Sequence, residues 1–189
     1  MKTAKLVPAL LATLLALPVF AQTATEAQRN VDQQQRIENG LKSGQLTTRE
    51  ASKLEREESN INRAEANAMK DGVMTSAEQK RINSMQNRAS QDIYNQKHDA
   101  QVGNSNSASS QRMQADVQRN VNQEKRIQNG IANGSLSSSE AAKLDRGQAK
   151  VDRQEARDGR DGNVSAREQR RIQHAENRQS GRIHRLKTD

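Results

Sequence analysis

The chain has no cysteine, and beyond residue 21 it has no proline and one aromatic residue, Tyr94. Without cysteine there is no disulfide staple of the kind small exported domains use, and no thiol chemistry. Without proline nothing interrupts a helix from within. The near absence of aromatics removes the stacking platforms by which single-strand binders hold bases, which disfavours nucleic acid as a partner. Large apolar residues are scarce too. Leu, Ile, Val and Phe make up about one residue in eight beyond residue 21, below the ~20% under which disorder becomes a concern. Ala, Arg, Gln, Glu and Lys dominate instead, and these are strong helix formers. The composition therefore predicts an all-α protein with a thin core, to which a ligand, a dimer or a client protein would add stability.

The first residues have a different character. Lys2 and Lys5 precede an apolar run over 6–19, and Val19-Phe20-Ala21 offers the small residues a signal peptidase accepts. This reads as a secretory signal peptide over 1–21; a membrane anchor needs an apolar run of roughly 20 residues. A periplasmic or secreted protein follows, with no transmembrane anchor after cleavage. Lys and Arg together number 31 against 23 Asp and Glu, a formal charge of +8, which suits an anionic envelope partner.

A shift of 90 residues aligns 28–99 with 118–189 without a gap, and roughly 30 of the 72 positions are identical. Gln28-Arg29-Asn30-Val31 meets Gln118-Arg119-Asn120-Val121, and Ile93 meets Ile183. The reading is two tandem three-helix repeats, over 24–100 and 114–189, joined by a Ser/Asn/Gly-rich segment over 101–113 expected to be a flexible linker. In the first copy a helix from about 25 to 43 carries Val31, Ile37 and Leu41 inward. A second starts near Thr47 with Ala51, Leu54, Ile61 and Ala68 in heptad-like spacing. A third starts near Thr75 with Ile82, Met85, Ala89 and Ile93. The second copy repeats this with Ala141, Leu144, Val151, Ile172, Ala175 and Ile183.

One turn recurs four times: Gly44-Gln45-Leu46-Thr47, Gly72-Val73-Met74-Thr75, Gly134-Ser135-Leu136-Ser137 and Gly162-Asn163-Val164-Ser165, each followed three places later by Glu50, Glu78, Glu140 or Glu168. The glycine can close one helix in the left-handed conformation. The hydroxyl and the Glu have capping-box spacing for the next helix, and the apolar residue holds the staple position.

The same turn resembles the second half of an EF-hand calcium loop, in which Gly, an apolar residue and Glu stand at the sixth, eighth and twelfth positions. The likeness covers all four turns and implies a site for Ca2+ or another divalent cation, with Asp71, Thr75 and Glu78 as its best-equipped ligands and Asp161, Ser165 and Glu168 as their counterparts. At the first loop position, however, stand Asn39, Asn67, Asn129 and Arg157, and at the third Leu41, Met69, Ile131 and Gly159. Each loop offers one or two carboxylates, which implies weak binding by a degenerate EF-hand-like turn. Leu46-Thr47 and Met74-Thr75, followed by Glu50 and Glu78, also resemble the turns of Spy-type periplasmic chaperones. That likeness implies a chaperone or anti-aggregation factor holding unfolded envelope clients.

Other chemistry is sparse. His98, His174 and His184 do not form an i,i+4 pair and read as surface residues. Arg81 with Arg88 and Arg171 with Arg178 could form a stripe for phosphate-like anions or pair with acids of the middle helices. Glu65 and Glu155, each two places after an Arg, read as inter-helix ion pairs. No nucleophile–base set and no phosphate-binding glycine loop is present. The reading is a non-enzymatic binding protein.

Overall fold

A computed structural model of the chain describes residues 17–188, with side-chain surroundings from residue 23. Of the expected leader, 1–16 lie outside the described residues. The rest is six helices and no strand: α1 (Leu17–Ser43), α2 (Thr48–Ala68), α3 (Ser76–Lys97), α4 (Ala108–Ala132), α5 (Ser138–Asp158) and α6 (Ala166–Thr188). Among the described residues no helix is long and apolar enough to cross a membrane.

The turns form as their residues dictate. Gly44, Gly72, Gly134 and Gly162 have φ of 76°, 85°, 75° and 88°, and no other residue among those described has positive φ. Thr47, Thr75 and Ser137 each accept from the amide three residues on, while the Glu there accepts from the cap amide. Ser165 and Glu168 make the same pair of bonds. Leu46, Met74, Leu136 and Val164 are buried beneath these turns.

α3 packs on α1 and α2 of its own copy, and α6 on α4 and α5. The most extensive packing runs between the copies, α2 against α5 and α1 against α4. Both pairs are antiparallel: a Cβ on Gly159 near the end of α5 would lie 3.0 Å from Ser52 Cβ near the start of α2, and Lys42 at the end of α1 reaches Gln118 early in α4. Small residues let α2 and α5 approach: Ser52 lies against Gly159 and Ser59 against Ala149, and Ala51, Ala66, Ala141 and Ala156 are buried along the two helices. A pseudo-twofold axis passes between them, because equivalent positions meet. Ser59 Oγ donates to Ala149 O (2.7 Å) and Asn62 Nδ2 to Asp152 Oδ2 (2.9 Å). The copies thus share one interior.

Two apolar clusters occupy the ends of that interior, with Ile61 and Val151 buried outside both. One cluster joins Ile131, Leu136, Leu144 and Ile183 to Met69, Met74 and Ile82. The other joins Ile37, Leu41, Leu46 and Leu54 to Met113, Val117, Val164 and Ile172. Between them lies a buried polar belt.

The segment between the copies also departs from expectation. Gly103 N donates to Gly44 O (2.8 Å), and Gln114 Nε2 donates to Ser105 O (2.8 Å). A Cβ on Gly103 would fall 2.3 Å from Leu46 O, so the segment lies flat on the first turn because it has glycine there. In a loose linker Gly103→Ala would stabilise slightly by restricting the unfolded chain. Here the methyl group meets backbone, and the melting temperature should instead fall by several degrees, as read by circular dichroism. An unchanged or higher value would show the strap to be free.

Candidate metal centre

The belt is built from acids and amides at i, i+3, i+7, i+10 spacing. On α2 these are Glu55, Glu58, Asn62 and Glu65, and on α5 Asp145, Gln148, Asp152 and Glu155, all buried. Such spacing keeps four residues on one helix face, here the face that α2 and α5 turn towards each other. Gln34 and Asn30 of α1 and Glu124 and Asn120 of α4 complete the ring.

Three of these acids converge. Glu55 of α2 and Asp152 and Glu155 of α5 each offer one carboxylate oxygen, and the three atoms lie within 4.8 Å of one another. Oxygen ligands at 2.3–2.6 Å from one ion are separated by at most about 5 Å, so the spacing suits a shared cation. Amides from other elements fix the carboxylates. Gln34 Nε2 donates to Glu55 Oε2 (3.0 Å), Asn120 Nδ2 to Glu155 Oε2 (2.7 Å), and Asn62 Nδ2 to Asp152 Oδ2 (2.9 Å). Gln148 Nε2 holds the other oxygen, Asp152 Oδ1 (3.2 Å). Glu55 Oε1 and Glu155 Oε1 are buried and receive no hydrogen bond, as are Glu58 Oε1 and Glu124 Oε2 beside them. Glu55 and Glu155, oriented through one oxygen with the other free, have the look of ligands positioned by outer hydrogen bonds, while Asp152 is held through both oxygens.

The electrostatics have one sign. No Lys or Arg is among the buried side chains described. Burial raises Glu55 to about 7, against side-chain hydrogen bonds, that of Gln34 first, that pull it down. Burial likewise lifts Glu124 to about 7 and Glu65 to about 8. Asp152 and Glu155 are pushed well above the carboxylate range by burial first and then by the charge of Glu55. An unpaired buried carboxylate is strongly disfavoured, so each must take up a proton or share a cation.

The residues singled out from sequence lie elsewhere. Glu78 Oε2 accepts from Thr75 N (2.9 Å) and Thr75 Oγ1 (2.7 Å), and Asp71 Oδ1 accepts from Val73 N (3.3 Å). In the fourth turn Glu168 Oε2 accepts from Ser165 N (2.8 Å) and Ser165 Oγ (2.7 Å), and Asp161 Oδ1 from Asn163 N (2.9 Å). The cap bonds from Thr75 and Ser165 hold Glu78 and Glu168 below the ordinary carboxylate range. The second and fourth turns thus bring together two carboxylates each, one of them engaged in capping. Among the described residues the acids that meet as a set of three are in the interior.

Two smaller expectations need correction. Glu65 and Glu155 are not ion-paired: Asn30 and Gln86 donate to Glu65 (2.7 and 3.1 Å), and Asn120 to Glu155. An Arg two places earlier on a helix points to a different face, so its sequence proximity carries no pairing. Of the proposed basic stripe, Arg171 is held by Asp158 (3.0 Å) and Glu168 (3.7 Å). His98 stacks on Tyr94 with ring centroids 4.2 Å apart, and all three histidines are exposed. Sequence reasoning missed Glu55, Asp152 and Glu155 because acids on helices read as solvated. The usable signal was their alignment with Leu54, Ile61 and Val151 on the inner faces of both copies. Comparison with family models, with curated proteins and with solved structures finds no match.

The raised carboxyls set a pH dependence of opposite sign to that of ordinary paired acids. Unfolded, these groups titrate near 4.5 or below; folded, at 7 to 8 or above, so between those values the native state binds more protons. The stability they contribute is complete below about pH 4.5 and is lost as pH rises through 7 to 8. The capping glutamates act in the other direction below that window. Chelator-treated protein should melt highest near pH 4.5–6 and several degrees lower at pH 8, as followed by circular dichroism. A maximum at pH 8 without cation would contradict buried, unpaired carboxylates.

Proposed function

We propose that this is an exported, non-enzymatic helical protein, built from two copies of a three-helix unit, that binds a divalent cation at the joint between the copies. The observation that carries the reading is the convergence of Glu55, Asp152 and Glu155 on α2 and α5, where Glu55 Oε1 and Glu155 Oε1 are buried and receive no hydrogen bond. All donors in reach are carboxylate and amide oxygens, and no histidine or thiol is near. Such a set favours a hard cation of the Ca2+, Mg2+ or Mn2+ class over copper or zinc. Glu58 and Glu124 lie beside the three, and the set supplies more charge than any turn does. Because the site is closed, the ion would enter through local opening of the bundle.

The cation would replace protons, so binding strengthens as pH rises. It would also bridge the copies, tying metal to fold. The EF-hand-like turns keep a supporting part, since they fix the helix ends and hence the register of α2 and α5. A client-holding role of the Spy type has thinner support. The exposed large apolar side chains among the described residues, Val73, Tyr94 and Val102, stand on three separate segments.

The test is a melt at pH 7.5–8 in chelator, then with millimolar Ca2+, Mg2+ or Mn2+. A cation at 100 times its Kd adds about 2.7 kcal/mol, which for a chain of this size is a rise of about 5–10 °C. Asp152→Asn with Glu155→Gln should abolish that rise while making the cation-free protein more stable, because a desolvated charge has been replaced by a neutral isostere. Glu78→Gln with Glu168→Gln should leave the cation response in place. If the turn substitutions remove the response and the interior ones do not, the cation belongs to the turns.

A further inference from the structure

The outer side of α5 and α6 carries a groove of ≈ 310 Å³ lined by Lys143, Arg146 and Lys150 of α5 and by Arg182 and Arg185 of α6, with Gly147 and Leu186 between them. The three α5 cations stand at i, i+3 and i+7 and the two on α6 at i and i+3, so each row shares one helix face. No carboxylate lines the groove, and none of the five cations is in an ion pair among the described residues. Glu140, one turn before Lys143, is occupied by the Ser137 cap. The two rows are held rigidly. Gln179 of α6 lies over Gly147, where a Cβ would fall 2.0 Å from its Oε1, and donates to Leu144 O (2.8 Å).

The duplication provides an internal control. Moving back 90 residues, the same positions hold Lys53, Arg56, Asn60, Asp92 and Asn95, with Glu57 in place of Gly147. Five cations without an acid thus become two cations with two acids, a change from +5 to 0. A groove of the first copy that overlaps these positions at Glu57, Asn60 and Asp92 carries Arg88 as its one cation. A merely solvated helix face would show no such contrast. The positive charge is concentrated in one copy, at one groove.

We propose that the α5–α6 groove is a binding site for anions carrying closely spaced phosphate groups, whether free condensed phosphate or a phosphorylated lipid headgroup. Five cations in two facing rows exceed what a single carboxylate would balance. The guanidinium forks of Arg146, Arg182 and Arg185 match the oxygens of phosphate. Attraction of this kind is long-ranged and screened by salt.

Titration calorimetry with inorganic tripolyphosphate, on chelator-treated protein, tests the site apart from any metal. Saturable one-to-one binding is expected, weakening as salt is raised from 20 to 200 mM. K150N with R182D, which installs the first copy's residues, should weaken binding at least tenfold with an unchanged melting temperature. R146Q with R185N should do the same, which guards against a folding defect in the first variant. Phosphatidylglycerol vesicles, with phosphatidylcholine vesicles as reference, separate the sources. Co-sedimentation lost in both variants assigns a lipid headgroup, whereas tripolyphosphate binding without co-sedimentation assigns a free phosphate. Absence of binding to either probe, or equal binding by wild type and both variants, overturns the proposal.

Discussion

A carboxylate removed from water must acquire a proton, a cation or an unusually complete set of donors, because nothing else offsets the lost hydration. The centre of this bundle gathers Glu55, Glu58, Glu65, Glu124, Asp145, Asp152 and Glu155 with no buried Lys or Arg among the described residues. Amides of Asn30, Gln34, Asn62 and Asn120 satisfy one oxygen of several of these acids and leave others bare. The apolar clusters at either end hold the helices together. The belt between them is the part of the interior whose charge must be neutralised for them to stay together.

The pseudo-twofold arrangement explains why the acids meet where they do. The 90-residue likeness within the sequence puts matching polar stripes on α2 and α5, and antiparallel packing through small residues brings those stripes face to face. Positions 62 and 152 then touch across the axis. A stripe that would lie at the margin of a single three-helix unit becomes the centre of the joined pair. Divergence between the copies has broken the symmetry: Asn62 faces Asp152, and Glu58 is matched by Gln148. The three converging acids therefore comprise one from the first copy and two from the second.

Much of the local structure was legible in the sequence. The four turns, their left-handed glycines, the caps at Thr47, Thr75 and Ser137, and the staple residues follow from short-range stereochemistry, which a sequence displays directly. Inward positions such as Ile37, Leu54, Ile82 and Ile93 follow from helical periodicity. Helix pairing was not legible. The contacts of α2 with α5 lie 90 residues apart and depend on Ala and Ser, which signal nothing by themselves. Glu55 and Asp152 were missed for the same reason, since a helical acid reads as a solvent-facing charge until the partner helix covers it. The segment around Gly103 has a linker's composition, yet its glycine serves close backbone approach rather than freedom.

Crystals grown with Mn2+ at pH 8 and measured for anomalous scattering would locate the cation without reference to stability. The expected result is a peak inside the bundle, within bonding distance of Glu55, Asp152 and Glu155. A peak beside Asp71 and Glu78 or Asp161 and Glu168, or no peak in the interior at saturating Mn2+, would contradict the assignment of the carboxylate belt as the cation site.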